Sequence, residues 1–199
     1  MNTTAIPTIQ ASPEETYDIE LEQSLLQANA KLAKENRAKL DHHDIAAIDF
    51  MGAIGSGKTT LITRLVTKLK DRLNLAVFNG DATTVDDVKT IASQGVPTVQ
   101  LATVNGCHLD ANLVAKALQK VDLSKLDLIF IENIGNLICP AEFPLGSRKR
   151  VVVVSVTEGP YMVKKHPHMF LGADIVVINK LDLAGVMGIK VEDLAADVH

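Results

Sequence analysis

The segment Gly52-Ala53-Ile54-Gly55-Ser56-Gly57-Lys58-Thr59 sets the fold class of this 199-residue chain. It matches the pattern G-x-x-x-x-G-K-S/T at every fixed position, and it stands between an apolar run (45–51) and an amphipathic helical pattern (58–73). A strand, a glycine-rich loop and a helix in this order are typical of the loop that wraps nucleotide phosphates. Its backbone N–H groups point at the phosphates, and the N-terminus of the following helix adds its positive dipole.

Different residues of this loop have different predicted contacts. The Lys58 ammonium would reach the β- and γ-phosphates, and the Thr59 hydroxyl would be a ligand of Mg²⁺. An ordinary glycine-rich turn before a helix is the alternative interpretation. The complete set of residues that we expect to contact the phosphates is Gly52, Ile54, Gly55, Ser56, Gly57, Lys58, Thr59 and Thr60.

Five further apolar runs follow the run at 45–51 and predict the rest of a sheet. They are LAVFN (75–79), TVQLA (98–102), LIFIE (128–132), VVVVSV (151–156) and DIVVIN (174–179). Runs that are apolar throughout suit strands that are buried on both faces of a parallel sheet. Because helical patterns separate them, the sequence predicts an α/β domain with a doubly wound, mainly parallel sheet.

The N-terminal part of the chain differs in composition from this α/β region. Residues 1 to about 18 are polar with two prolines, which predicts a poorly ordered arm. The pattern from Asp18 to Leu40 predicts a helix, which would either lie on its own domain or act as an arm that binds a partner or cofactor. We therefore divide the chain into an N-terminal arm and helix (1–43) and a nucleotide-binding domain (44–199).

Two acidic residues stand where a nucleotide-bound Mg²⁺ would lie. Asp81 follows the run at 75–79, and Glu132 ends the run at 128–132. Ligands bind at the carboxyl ends of parallel strands, and carboxylate oxygens are ligands that Mg²⁺ prefers. Lys58, Thr59, Asp81 and Glu132 are thus the predicted catalytic residues. Either acid could instead cap a helix or lie in a loop.

The run at 174–179 is followed by Asn179-Lys180-Leu181-Asp182, an N-K-x-D element at a strand end. A carboxylate such as that of Asp182 can accept hydrogen bonds from N1–H and the 2-amino group of guanine. Adenine has neither donor, and a buried polar group left unpaired costs about 1–3 kcal/mol. The sequence therefore predicts that Asn179, Lys180 and Asp182 select GTP over ATP.

Cys107, His108 and Cys139 form a second candidate metal site. They are soft or borderline ligands, and their number is one short of the four that closed zinc sites use. A two-fold dimer with these loops facing each other could supply two sets. Incidental proximity of a cysteine and a histidine in sequence is the alternative.

Composition excludes several classes of protein. A net charge of −4 and an aromatic content of 4% argue against nucleic-acid binding. No uncharged apolar stretch reaches the roughly 20 residues that cross a bilayer, which predicts no membrane partner. Two cysteines cannot form a disulfide framework, and the N-terminus lacks a signal-peptide pattern, so we expect a cytoplasmic protein.

Several segments resemble the HypB-type nickel-insertion GTPases of nickel-iron hydrogenase maturation. They are GAIGSGKTT, NGD, CHLDA, ENIGNLICPAEF and VSVTEG followed by KHP, within 44–199. The resemblance implies a P-loop NTPase of the SIMIBI type that dimerises when GTP binds, with Cys107, His108 and Cys139 near the interface as ligands of Ni²⁺ or Zn²⁺. It also implies that GTP hydrolysis drives nickel delivery to a hydrogenase large-subunit precursor, with a HypA-type metallochaperone as partner.

The chain departs from the pattern of this family in three ways. It shows no N-terminal cysteine-rich nickel motif and no histidine-rich tract. The family usually continues after the N-K-x-D element through a further strand, a loop that touches guanine and a final helix. We therefore expect either a shortened chain or a sheet edge that is covered by association.

Two alternative functions remain open from the sequence. A urease accessory GTPase also moves nickel, but it has a Cys-Pro-His element that this chain does not show. A GTP-gated nickel or zinc scaffold with little turnover is the other alternative, because no residue is an obvious base for the attacking water.

Overall fold

Seven parallel strands form a single sheet in the computed structural model, which describes residues 8–10, 22–80, 85–103, 106, 108–136 and 138–198. The strands are β1 (Thr8–Gln10), β2 (Ala46–Met51), β3 (Leu75–Asn79), β4 (Thr98–Ala102), β5 (Leu128–Glu132), β6 (Lys149–Ser155) and β7 (Ile175–Asn179). Their order across the sheet is β1-β4-β3-β5-β2-β6-β7, and every neighbouring pair is parallel. All six predicted apolar runs are strands, so the predicted parallel sheet is confirmed.

Helices cover both faces of this sheet. They are α1 (Glu22–His42), α2 (Lys58–Leu69), α3 (Val85–Ala92), α4 (Ala111–Leu118), α5 (Cys139–Glu142), α6 (Met162–Lys165), α7 (Pro167–Phe170) and α8 (Val191–Ala196). Successive strand residues point to opposite faces. Phe78 therefore packs in the cluster that contains Leu40 of α1 and Leu113 of α4. Its neighbour Val77 packs in the cluster that contains Ile62 of α2. The sheet is doubly wound, as the alternation of strands and helices predicts.

The N-terminal region differs from its prediction at one point. Residues 1–18 were expected to form a poorly ordered arm, but Thr8–Gln10 within them form β1. β1 pairs with β4, with Thr8 opposite Gln100 and Gln10 opposite Ala102. The edge of a sheet offers unpaired backbone donors and acceptors to any extended segment, so a polar sequence can pair there without an apolar signature.

The helix predicted between Asp18 and Leu40 forms at Glu22–His42 and lies on its own domain, where it packs against α4. Two buried asparagines attach it. The Asn36 Nδ2 donates to the carbonyl oxygens of Ala111 (2.7 Å) and Leu145 (3.1 Å). The Asn29 Oδ1 accepts from the Ala111 N–H at 2.7 Å, and its Nδ2 donates to Pro144 O at 2.9 Å. α1 therefore holds the start of α4 and the segment after α5 together.

The two ends of the sheet differ in burial. The central strands β3 and β5 are buried along their whole length. β7, at the other edge from β1, is half-buried or exposed, and Ile175 is 53% exposed. Within the described part of the chain, no helix is both long enough and apolar enough to pass through a lipid bilayer.

We expect Asn36→Ala to lower the free energy of unfolding by about 2 kcal/mol, because the carbonyl groups of Ala111 and Leu145 would lose a buried donor. Urea denaturation measures the change. The matched control is Glu35→Ala on the exposed side of the same helix, which should stay within about 0.5 kcal/mol of the wild type. Equal stability of the two variants would contradict this account of how α1 is attached.

Candidate functional site

The glycine-rich loop lies between β2 and α2 and touches two other parts of the sheet. Gly55 and Gly57 have φ angles of 76° and 102°, in the left-handed region that favours glycine. A Cβ atom at Gly57 would collide with Asn179 Nδ2, and one at Gly52 would collide with the carbonyl oxygen of Val153. Backbone conformation therefore favours glycine at positions 55 and 57, and close contacts leave no room for a side chain at positions 52 and 57.

Lys58 is the first residue of α2 and is 3% exposed. Its ammonium group donates to the carbonyl oxygens of Gly52 and Ala53, at 3.1 Å each. The positive charge is therefore held against the loop and not in bulk solvent. The side chains of Ile54 and Thr60 are exposed, so the predicted phosphate contacts of these two residues would be made by their backbone N–H groups.

The parallel sheet brings Thr59, Glu132 and Asn79 together. Glu132, at the end of β5, is fully buried. Its Oε1 accepts a hydrogen bond from the Thr59 hydroxyl at 2.5 Å, and its Oε2 accepts one from Asn79 Nδ2 at 2.9 Å. Asn79 is opposite Glu132 in the pairing of β3 with β5. Asn79 was not predicted as a site residue, because only this strand register brings it to the carboxylate.

These residues fit a nucleotide-bound Mg²⁺. The Thr59 hydroxyl and the Glu132 carboxylate are oxygen ligands of the kind that Mg²⁺ prefers. Two further oxygens in the same region, Ser56 Oγ and Asn79 Oδ1, are buried without a hydrogen-bond partner among the described residues. Buried polar atoms of this kind are normally satisfied, so a polar ligand is expected there. Asp81, the other predicted Mg²⁺ ligand, lies outside the described residues.

The predicted guanine-recognition residues start at the end of β7, which contacts the glycine-rich loop. Asn179 ends β7, and its Nδ2 donates to the carbonyl oxygen of Ser56 at 2.8 Å. Lys180 has a left-handed conformation with φ 59°, which turns the chain sharply after the strand. Asp182 follows in a short 3-10 turn (Leu181–Leu183), and its side chain is exposed. The structure thus brings the N-K-x-D element to the phosphate loop.

Glu158 lies close enough to Lys58 and Lys180 of the predicted site to interact with their charges, but the sequence analysis did not include it. Its Oε1 accepts from the Ser155 N–H at 2.8 Å in a capping box after β6. Burial raises the pKa of Glu158, and this effect is opposed by the Ser155 hydrogen bond and by the nearby cations Lys58, Lys180 and His166. The capping spacing Ser155-x-x-Glu158 at a strand end was the available signal.

The candidate soft-metal residues are only partly placed. The His108 ring stacks on Phe143, with centroids 3.8 Å apart and planes at 24°. Cys139 begins α5, and its Sγ accepts from Asn136 Nδ2 at 3.5 Å. Cys107 lies outside the described residues, and those described contain no cluster of three metal ligands. The structure therefore brings His108 to the segment that contains Cys139 without testing the full set of ligands.

The protonation of His108 is influenced by its surroundings. Burial lowers the pKa of His108, while the carboxylates of Asp110 and Glu142 raise it. The lowered pKa favours the neutral imidazole at neutral pH, which is the form that binds metals.

A largely buried polar network starts at Asn133, the residue that directly follows Glu132. It consists of Asp49, Asn133 and Arg150, and we call it the Asn133 network. Asp49 is fully buried in β2, and its Oδ1 accepts from Asn133 Nδ2 at 3.2 Å. Its Oδ2 lies 3.7 Å from Arg150 Nε. Burial raises the pKa of Asp49 to about 6, against the opposing effects of Arg150 and the Asn133 hydrogen bond.

Comparison with known proteins identifies relatives over most of the chain. A family model described as "CobW/HypB/UreG, nucleotide-binding domain" matches residues 46–199. A HypB protein of Methanocaldococcus jannaschii is 46% identical over 179 residues, which are 90% of this chain and 81% of that protein. The hydrogenase maturation factor HypB of Escherichia coli is 42% identical over 178 residues, covering 89% of this chain. The chain spans 61% of the length of the Escherichia coli protein.

Solved structures show the same fold. HypB from Archaeoglobus fulgidus has a TM-score of 0.82 at 42% identity, covering 86% of this chain and 84% of that one. HypB from Helicobacter pylori in complex with nickel has a TM-score of 0.79 at 34% identity, covering 85% and 80%. The signal recognition particle receptor FtsY from Elizabethkingia anophelis, at 20% identity and a TM-score of 0.54 over 77% and 58%, shares the fold alone. The predicted P-loop NTPase fold of the SIMIBI type is confirmed.

The raised pKa of Asp49 predicts a pH dependence of stability. The pKa of Asp49 is about 6 in the folded protein and 3.8 in the unfolded chain, so the folded protein holds this proton more tightly. The protonated Asp49 therefore stabilises the fold at low pH, and this stabilisation is lost as the pH rises through about 6. Relative to Asp49→Asn, the wild type should lose about 2 kcal/mol of unfolding free energy between pH 4.5 and pH 7. Urea denaturation of both proteins across this range measures it, and parallel pH profiles would contradict it.

Proposed function

The chain belongs to the HypB group of the CobW/HypB/UreG family, and we propose that it is a GTPase that couples GTP binding and hydrolysis to nickel delivery in nickel-iron hydrogenase maturation. The observation that carries the proposal is the hydrogen bond from Thr59 of the glycine-rich loop to Glu132 at the end of β5. It supports a phosphate and Mg²⁺ site at the strand ends from which the candidate metal segments follow.

Lys58, Thr59 and Glu132 are the residues that we propose for phosphoryl transfer, together with Asp81. A bound Mg²⁺ would supply positive charge that offsets the negative charge developing on the phosphate oxygens. Lys58 would exchange its bonds to the Gly52 and Ala53 carbonyl oxygens for bonds to phosphate oxygens. Thr59 and Glu132 would orient the metal through their oxygens, and burial of Glu132 would keep water from screening its charge.

Guanine recognition is proposed for Asn179, Lys180 and Asp182. The bond from Asn179 to Ser56 O supports this role, because it holds the start of the N-K-x-D element against the phosphate loop. Asp182 is exposed, so its carboxylate is available to accept from the N1–H and 2-amino group of a bound guanine. Adenine would leave that carboxylate without these two donors.

Nickel is the proposed cargo, and Cys107, His108 and Cys139 are its proposed ligands. The contact of His108 with Phe143 supports this, because it holds the histidine beside the segment that starts at Cys139. Thiolate and imidazole ligands also suit Zn²⁺, which is the alternative metal. The HypB structure from Helicobacter pylori is a nickel complex, which supports nickel as the cargo of this chain as well.

The proposed cycle includes partners that supply and receive the metal. GTP would hold the chain in a homodimer, a HypA-type metallochaperone would exchange nickel with it, and a hydrogenase large-subunit precursor would receive the nickel. The cytoplasm is the proposed compartment, since its reducing conditions keep thiols such as that of Cys139 available as ligands.

The experiment that tests the proposed function is light scattering of the protein with GDP and with a non-hydrolysable GTP analogue, during titration with Ni²⁺ or Zn²⁺. We expect the analogue to double the mass, and we expect the wild type to bind metal that Cys107→Ala binds weakly. Single-turnover GTP hydrolysis distinguishes an enzyme from a scaffold. A mass that does not respond to nucleotide, with metal binding that ignores Cys107, would contradict the proposal.

We expect Asp182→Asn to weaken GDP binding about 10-fold or more, because a charge-assisted hydrogen bond contributes about 1.5–3 kcal/mol. Xanthosine diphosphate, which has a carbonyl in place of the 2-amino group, should bind the variant more tightly than it binds the wild type. Calorimetric titration measures both affinities. Glu192→Gln removes another exposed carboxylate and is the matched control. Unchanged GDP affinity in Asp182→Asn would exclude the proposed role of this carboxylate.

A further inference from the structure

The side chain of Asn133 connects three segments of the chain. Its Oδ1 accepts from the backbone N–H groups of Leu109 (3.2 Å) and Ile134 (3.0 Å). Its Nδ2 donates to Asp49 in β2, and its own N–H donates to the Phe50 carbonyl oxygen at 3.0 Å. Asn133 is fully buried. The residue after β5 is therefore attached through one side chain to β2 and to the segment before α4.

Three points of the Asn133 network lie one or two residues from a residue of the proposed sites. Asn133 directly follows Glu132, and Leu109 directly follows His108. Arg150, which pairs with Asp49, also donates from Nη1 to the carbonyl oxygen of Ala141 at 3.4 Å. Ala141 is two residues after Cys139 in α5. The network thus reaches both described soft-metal segments from the residue next to the proposed Mg²⁺ ligand.

Stability alone does not account for this network. Asp49 is a buried carboxylate whose Oδ2 has no hydrogen-bond partner among the described residues and lies 3.7 Å from Arg150 Nε. Buried ion pairs are often no more stabilising than apolar side chains of similar volume, since the loss of hydration offsets their attraction. Polar networks do, however, impose a defined geometry on the backbone groups that they bind. The segments joined here are those that the proposed function requires to move together.

We propose that Asn133, held in place by Asp49 and Arg150, is a positioning residue that couples the nucleotide state at Glu132 to the geometry of the segments that contain His108 and Cys139. The inference rests on the proposed function, because it presumes that nucleotide and nickel sites exist. A shift of the Glu132 backbone on nucleotide binding moves the Asn133 amide. The N–H groups of Leu109 and Ile134 share the Oδ1 of Asn133 as their acceptor. The segment of His108 and the segment that leads to Cys139 therefore move with this oxygen.

The test is the ratio of Ni²⁺ affinities measured with GDP and with a non-hydrolysable GTP analogue, for the full chain and for Asn133→Ala. Allosteric couplings typically amount to about 5- to 150-fold, and we expect a wild-type ratio in that range. Asn133→Ala should bring the ratio to within about twofold of one while Ni²⁺ binding with GDP remains measurable. The coupling is reciprocal, so the effect of Ni²⁺ on the preference for the analogue over GDP must fall by the same factor.

Two further variants keep the result interpretable. Arg150→Lys retains the positive charge, but a single ammonium group cannot contact Asp49 and the Ala141 carbonyl oxygen together as the planar guanidinium does. This variant should therefore also reduce the ratio of the two Ni²⁺ affinities. It decides the question if Asn133→Ala does not fold. Leu118→Ala, in the buried end of α4, destabilises the fold without touching the network and should keep the wild-type ratio.

The possible outcomes separate this inference from the proposed function. A wild-type ratio of one would overturn the coupling and the proposed function together. A wild-type ratio away from one that persists in Asn133→Ala and Arg150→Lys would overturn the positioning role alone. So would a loss of Ni²⁺ affinity that is equal in both nucleotide states, because it would show that Asn133 merely supports the metal site. A ratio that falls equally in Leu118→Ala would show a general effect of destabilisation and would also overturn it.

Discussion

The contact of the Thr59 hydroxyl with the buried Glu132 carboxylate is the interaction on which the arrangement of this protein depends. A carboxylate without exposed surface requires hydrogen bonds, and Glu132 receives them from α2 and from β3. These bonds are possible only because β2, β3 and β5 are adjacent and parallel, with their carboxyl ends at one edge. The strand order therefore determines which side chains reach Glu132, and so it determines the chemistry of the site.

Local patterns were sufficient to predict the sheet and the phosphate loop. The runs at 75–79 and 128–132 are apolar at nearly every position, which is the signature of strands covered on both faces. Gly55 and Gly57 have left-handed backbone conformations, and glycine is the residue that adopts them without strain. The glycines of the motif therefore predicted the conformation of the loop. The placement of Glu132 beside Thr59 followed from the rule that ligands bind at the carboxyl ends of parallel strands.

Contacts that depend on strand register or on distant residues were not predictable. Asn79 lies opposite Glu132, but nothing in the run LAVFN distinguishes this asparagine from a solvent-exposed one at a strand end. Asn29 and Asn36 look like surface residues of a weakly amphipathic helix, yet both are buried by partners more than 70 residues away. The pairing of β1 with β4 likewise arises from the unoccupied edge of β4 and not from the letters TIQ.

The attachment of α1 has a consequence for what counts as a domain in this protein. The family model matches the chain from residue 46 onward, after α1 has ended. Leu40 of α1 nevertheless belongs to the same buried cluster as Phe78 and Leu113, and the asparagines of α1 hold the first residue of α4. Amide protons of α1 and α4 should therefore exchange with solvent in one cooperative opening. The unit that folds is larger than the region that the family model covers.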